Sequence, residues 1–194
     1  MSPDLTELLS ATADLLDDAG PLEPVRLALA GRDLQLTFAE FSTMADQRAS
    51  VDRLAAATGT DPVLSELGAD AYTYTLTADL PGGMMLVAGT HPTLGRHQPA
   101  RTTSTAATAA LVRSLLPWAQ TLAALPVDVT GLEITDDARR LAVQLLVDSA
   151  GDPAAAMSVA ATGVTALRTG PGDPFGIDGR GRLPSGHPVL ISVL

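Results

Sequence analysis

AYTYTLTADLPGGMMLVAGT, residues 71–90, decides the fold class. Thr73, Thr75 and Thr77 fall on one side of an alternating run, and Tyr72, Tyr74 and Leu76 fall on the other. Pro81-Gly82-Gly83 then interrupts the run before a second apolar stretch, MMLVA. An alternating run, a Gly-rich turn and a second apolar run predict a β-hairpin, and threonine suits a pleated, half-exposed surface. VRLALAGRDLQLTF, residues 25–38, repeats the device. Val25, Leu27 and Leu29 alternate before Gly31-Arg32, and Leu34, Leu36 and Phe38 alternate after it.

Helices are expected between and around these hairpins. Leu5, Leu8, Leu9, Leu15 and Leu16 form a stripe at helical spacing that Gly20-Pro21 ends. Asp14, Asp17 and Asp18 lie in its last turns, where the macrodipole disfavours anions. Phe41, Met44, Val51, Leu54 and Ala55 mark a second amphipathic helix over 39–58. A third is predicted over about 102–124, kinked at Pro117. VDVTGLEI, 127–134, reads as a strand. Thr135-Asp136-Asp137 reads as the start of a helix reaching Gly151, and residues 154–168 suit either helix or strand. GPGDPFGIDGRGRLPSGHP, 170–188, is rich in Gly and Pro and reads as a long loop before the terminal strand VLISV.

The expectation is an α+β fold: an antiparallel sheet from two hairpins, about 24–38 and 71–90, with helices packed on it and a C-terminal strand. Residues 1–194 form a single domain in this reading, with a core unit over 1–125 and a packed portion over 126–194. No internal repeat stands out, although DLLDDAG (14–20) and QLLVDSAG (144–151) share a helix ending in this reading.

Composition removes several chemistries. With 46% hydrophobic and 18% charged residues, a chain of 194 residues can build a sizeable core. It has no Cys, so disulfides, thiolate metal sites and a cysteine nucleophile are excluded. All twelve basic residues are Arg, which excludes a Schiff-base lysine and the P-loop Lys. Absence of Lys and Asn beside abundant Ala, Gly, Pro and Arg reflects a GC-rich, bacterial genome. No apolar run suits a membrane span, and MSPDLTELL lacks the layout of a signal peptide, so the expected location is cytoplasmic.

SVDRLAAATGTDPVLSEL, 50–67, resembles the layout of a helix-turn-helix, with Gly59 at the bend and Leu64 and Leu67 on a second short helix. A net charge of −10 argues against a duplex reader, because phosphate neutralisation supplies most of such affinity. Asp61 and Glu66 flank the would-be recognition helix. Gly59 is therefore read as a helix stop, and Thr60, Asp61 and Pro62 as the next helix start.

One window stands apart. From Leu80 to Val127 there is no Asp or Glu, whereas Arg96, Arg101, Arg113, His91 and His97 fall there. His91, Arg96, His97 and Arg101 precede a helix start expected at Thr102-Thr103-Ser104. Free N–H groups there, with bidentate Arg, suit a phosphate or carboxylate. The same residues serve equally as loop charges and helix caps. The two histidines lack the spacing of a helical metal site, and no catalytic residues, metal or cofactor emerge. The leading functional expectation is a non-catalytic protein-interaction or assembly module, acting as an oligomer or with a partner chain. The alternative is an enzyme or ligand-binding domain holding an anionic small molecule at 91–104.

Overall fold

The structure is a computed structural model describing residues 5–39, 42–67, 72–91, 105–123, 128–136, 141–149, 151–172 and 176–194. In chain order the elements are α1 (Leu5–Ala19), β1 (Val25–Ala30), β2 (Asp33–Phe38), α2 (Met44–Thr58), β3 (Val63–Glu66), β4 (Tyr72–Leu80) and β5 (Met84–Gly89). They continue with α3 (Thr105–Ser114), α4 (Leu116–Ala123), β6 (Asp128–Asp136), β7 (Leu141–Asp148), α5 (Pro153–Ala160), β8 (Thr165–Pro171), β9 (Ile177–Arg182) and β10 (Pro188–Val193). The fold is α+β. Both expected hairpins form, β1–β2 turning at Gly31 and β4–β5 turning through Pro81–Gly83.

The sheet is larger than two hairpins, and it is mixed. Ten strands run in the order β3-β4-β5-β2-β1-β6-β7-β10-β9-β8. All pairs are antiparallel except β2–β5 and β7–β10. The expectation of a purely antiparallel sheet is corrected because each parallel pair closes over a helix, α2 in one case and α5 in the other. A parallel neighbour requires such a crossover.

One cross-strand row shows where the core lies. Leu76, Ala88, Leu36, Leu27, Ile134, Val143 and Val189 stand opposite one another in successive strands, and all are buried. Alternate residues, such as Thr77, Thr37 and Arg26, face solvent. Among the described residues, helices thus cover one face of the sheet and leave the other open. α1 packs against α2, α3 and α4, and the Trp118 indole of α4 donates to the Ala160 carbonyl of α5 at 3.2 Å.

This order contains a duplication. The succession helix, two strands, helix, three strands occurs in β1–β5 and again in β6–β10, with the same neighbours and the same parallel pair. The halves meet along the antiparallel β1–β6 pair, where Leu27 faces Ile134, so a pseudo-two-fold axis crosses the sheet there. Two short sequence cassettes follow the symmetry. Ala56-Ala57-Thr58-Gly59 ends α2 on a left-handed glycine, and Ala160-Ala161-Thr162-Gly163 carries the end of α5 through a turn to a left-handed glycine, each before an edge strand. Leu80-Pro81-Gly82-Gly83 and Leu183-Pro184-Ser185-Gly186 each turn the last hairpin. The ending shared by 14–20 and 144–151 is not the repeat: the first closes a helix and the second follows a strand.

Three further expectations change. Residues 141–148 form β7, because Leu141, Val143, Leu145 and Val147 alternate, and strand pairing on both sides outweighs the Asp-rich start. Residues 63–66 form β3, so the second helix of the supposed helix-turn-helix is a strand. The loop over 170–188 contains β9, whose Gly179 and Gly181 let it run tightly beneath α5 and beside β8. The ambiguous stretch divides into α5 and β8, and the terminal run VLISV lies in β10, parallel to β7.

Candidate functional site

Among the seven residues proposed from sequence for an anion site, only His91 lies within the described residues. Arg96, His97, Arg101, Thr102, Thr103 and Ser104 lie outside them. His91 follows the end of β5, and its backbone N–H donates to Gln47 Oε1 at 2.7 Å. Gln47 is buried on α2, and its amide nitrogen donates to the Ser42 carbonyl at 3.0 Å and the Ala39 carbonyl at 3.4 Å. One side chain therefore ties α2, the β2–α2 connection and the exit of β5. Beside it, Ser42 Oγ donates to Glu23 Oε2 at 2.7 Å, and the Glu23 backbone N–H donates to Ser50 Oγ at 3.0 Å. Glu23, Ser42, Gln47 and Ser50 are all buried. Polar letters inside an amphipathic stretch gave no sign of this network.

The acidic end of α1 has an internal explanation. Arg113 of α3 reaches Asp17 at 2.5 Å and Asp14 at 3.3 Å. Hydrogen bonding to Asp17 is the main cause holding its guanidinium above the ordinary arginine value. A groove of about 580 Å³ opens on the same side, between α1, the end of α2 and the β4–β5 turn, with Glu7, Asp14, Asp18 and Asp79 along it. Among the described residues no group of three His, Cys, Asp or Glu is placed to hold a metal. Asp178, in the Gly- and Pro-rich stretch 170–188, accepts from Ser192 Oγ at 2.9 Å. Ser185 Oγ and His187 Nδ1 lie 3.0 Å apart at the β9–β10 turn, the serine exposed and the histidine half-buried, a local pair within one turn.

The least satisfied surfaces are the two sheet edges. At β3, Val63 is 60% exposed, Leu64 55% and the following Leu67 58%. Of the six large hydrophobic side chains exposed among the described residues, these three and Leu167 of β8 lie at the edges. Behind β3, the Tyr74 hydroxyl donates to Asp52 Oδ1 at 2.7 Å, and the Arg48 guanidinium sits 4.8 Å from the ring centroid. These contacts brace β4 against α2 and leave β3 as the uncovered outer strand. β8 is different: it carries Ala166 at φ 53° and a register shift between Thr165 and Arg168. The shift leaves regular pairing from Arg168 onward, and the charged side chains there oppose pairing of this edge with a second copy of itself while leaving it open to an edge of opposite charge.

The edges also differ in charge. Arg168 of β8 stands directly opposite Arg180 of β9, and Arg182 follows two residues along on the same, open face. None of the three forms an ion pair with a carboxylate among the described residues. Asp61, Glu66 and Asp79 lie exposed at the β3–β4 end. None of the family models, curated proteins or solved structures compared with this chain matches it. Among the described residues no helix is long and apolar enough to cross a membrane.

Proposed function

We propose that the chain is a non-catalytic protein-interaction module, acting as an oligomer or with a partner chain, and that the β3 edge receives the partner strand. The observation that carries this reading is the cluster Val63, Leu64 and Leu67 on an outer strand that, among the described residues, has neither a bulge nor a covering helix. An edge strand offers a row of backbone N–H and C=O groups, and strand addition satisfies them while burying alternate side chains. Leu64 lies beside Tyr74 on the helix-bearing side of β3, and Val63 lies beside Thr75 on the open side. An added strand would thus find one apolar contact on each face.

Selection from a displayed library of extended peptides tests this reading, with the Leu64→Arg protein as counter-selection and light scattering as a monitor of self-association. The expected result is enrichment of alternating apolar peptides that Leu64→Arg no longer holds, or self-association that it abolishes. A chain that stays monomeric and retains no Leu64-dependent peptide would overturn the proposal.

A further inference from the structure

The geometry points to a second copy of this chain as the occupant of the β3 edge, seated through its own β8 edge, so that molecules add head to tail. The inference rests on the reading of β3 as a partner-binding edge. Three observations choose this occupant. First, the two edges complement each other in charge. Asp61, Glu66 and Asp79 mark the β3–β4 end, and Arg168, Arg180 and Arg182 mark the β8–β9 end.

Second, the sign inverts between equivalent places in the two halves. Asp79 precedes Leu80-Pro81-Gly82-Gly83, and Arg182 precedes Leu183-Pro184-Ser185-Gly186. Two copies meeting β3 to β3 would oppose carboxylates, and two meeting β8 to β8 would oppose guanidinium groups. Only the mixed contact brings opposite charges together.

Third, the strands have the right sense. Following the pairings across the sheet, β3 and β8 run in opposite directions. A neighbour placed with its sheet continuing in the same sense therefore meets β3 with an antiparallel strand. Leu167 of β8 lies on the helix-bearing side, close to where a Gly179 side chain would project, as Leu64 does at β3. A heterologous contact of this kind does not close on itself as an isologous dimer does. It continues into an open or ring-shaped assembly.

Sedimentation velocity on the full chain across a wide concentration range tests the inference, using wild type, Leu64→Arg, Arg168→Glu and an equimolar mixture of the two variants. Both positions are exposed, and Arg168→Glu removes a like-charge pair; circular dichroism and urea midpoints verify folding of each. Wild type is expected to grow past a dimer with concentration and to shrink at high salt. Each variant alone is expected to remain monomeric, and the mixture to stop at two chains, because each variant retains one intact edge.

A wild type that is monomeric at every concentration overturns the inference. So does an Arg168→Glu chain that still dimerises while Leu64→Arg does not, since that pattern is β3 against β3. Leu64-dependent peptide capture by a monomeric wild type would sink head-to-tail assembly and leave β3 as a binding edge for another partner.

Discussion

Replacing Gln47 by leucine probes the polar joint that the fold builds under the start of residues 91–104. Leucine approximates the volume of glutamine, so the change removes hydrogen bonds with little loss of packing. Two well-formed bonds disappear, to the Ser42 carbonyl at 3.0 Å and from the His91 N–H at 2.7 Å. The third, to the Ala39 carbonyl at 3.4 Å, is long and contributes little. Each buried group left unpaired costs about 1–3 kcal/mol. Ser42 is 2% exposed, whereas His91 is half-buried and regains some hydration. The two together give roughly 2–4 kcal/mol, from which greater apolar burial by leucine subtracts about 1 kcal/mol. The net loss of roughly 1–3 kcal/mol is a large share of the roughly 5–15 kcal/mol that holds a domain together.

Urea unfolding followed by Trp118 fluorescence measures the loss. Trp118 is buried on α4, away from Gln47, and reports the whole cooperative unit. Gln35→Leu on the open face serves as a control and should shift the midpoint little. An unfolding free energy for Gln47→Leu within about 0.5 kcal/mol of wild type, the range of ordinary surface changes, would refute the reasoning.

Three more expectations follow from the same geometry. The Tyr74 hydroxyl is held above its ordinary pKa of 10.0 first by its hydrogen bond to Asp52, then by burial and the Asp52 charge. Because the folded state holds this proton more tightly, the bond's stabilisation is complete below the unfolded pKa and fades as pH rises through the raised value. Phenolate absorbance in a Tyr72→Phe background should show Tyr74 titrating at lower pH once Asp52 becomes Ala, and an unchanged titration would refute the assignment. Gly181→Ala would place a Cβ within van der Waals overlap of Val164 Cγ1 and 2.9 Å from the Thr165 carbonyl oxygen, costing about 1–3 kcal/mol. Adding Val164→Ala should recover only part in thermal melts, because the carbonyl cannot step aside; full recovery would count against that close approach. Leu27→Ala, at the junction of the halves, should cost roughly 2–5 kcal/mol by calorimetry, and Ala28→Ser on the open side of the same strand should cost far less. Equal effects at the two positions would contradict the one-sided core.

Alternation was enough for β1, β2 and β4, because one face of each meets the helices and period two follows from the pleat, and short apolar runs marked β5 and β10. Helix α1 and the break between α3 and α4 near Pro117 were equally legible, each with a local cause: a leucine stripe ended by Gly20-Pro21, and a proline without an N–H. β7 and β9 were not. Ahead of β7 in the sequence an acidic pair, Asp136-Asp137, looks like a helix cap, and only β6 and β10 on either side make the alternation of β7 decisive. β9, IDGRGR, presents glycines to its covered face because Met157 and Val164 approach closely, so it carries no hydrophobic signature. For the candidate site, sequence brought out His91 and its basic neighbours; Gln47 went unmarked, and Leu64 and Leu67 were read only as apolar positions of a short helix, since their importance depends on what lies beside them.

By itself, the sequence determined the chemical repertoire and the local elements: no thiol, no lysine, an acidic balance, and runs of residues whose spacing admits one backbone form. Tertiary structure decided what those elements become together. The duplication survives as two short cassettes, Ala-Ala-Thr-Gly and Leu-Pro-x-Gly, because only the glycine turns constrain particular residues; the strands between them need burial alone, which many sequences supply. Strand order, the two parallel pairs and the identity of β3 and β8 as edges depend on contacts between distant segments. Edge character is a property of missing neighbours, and no stretch of chain carries its own neighbours.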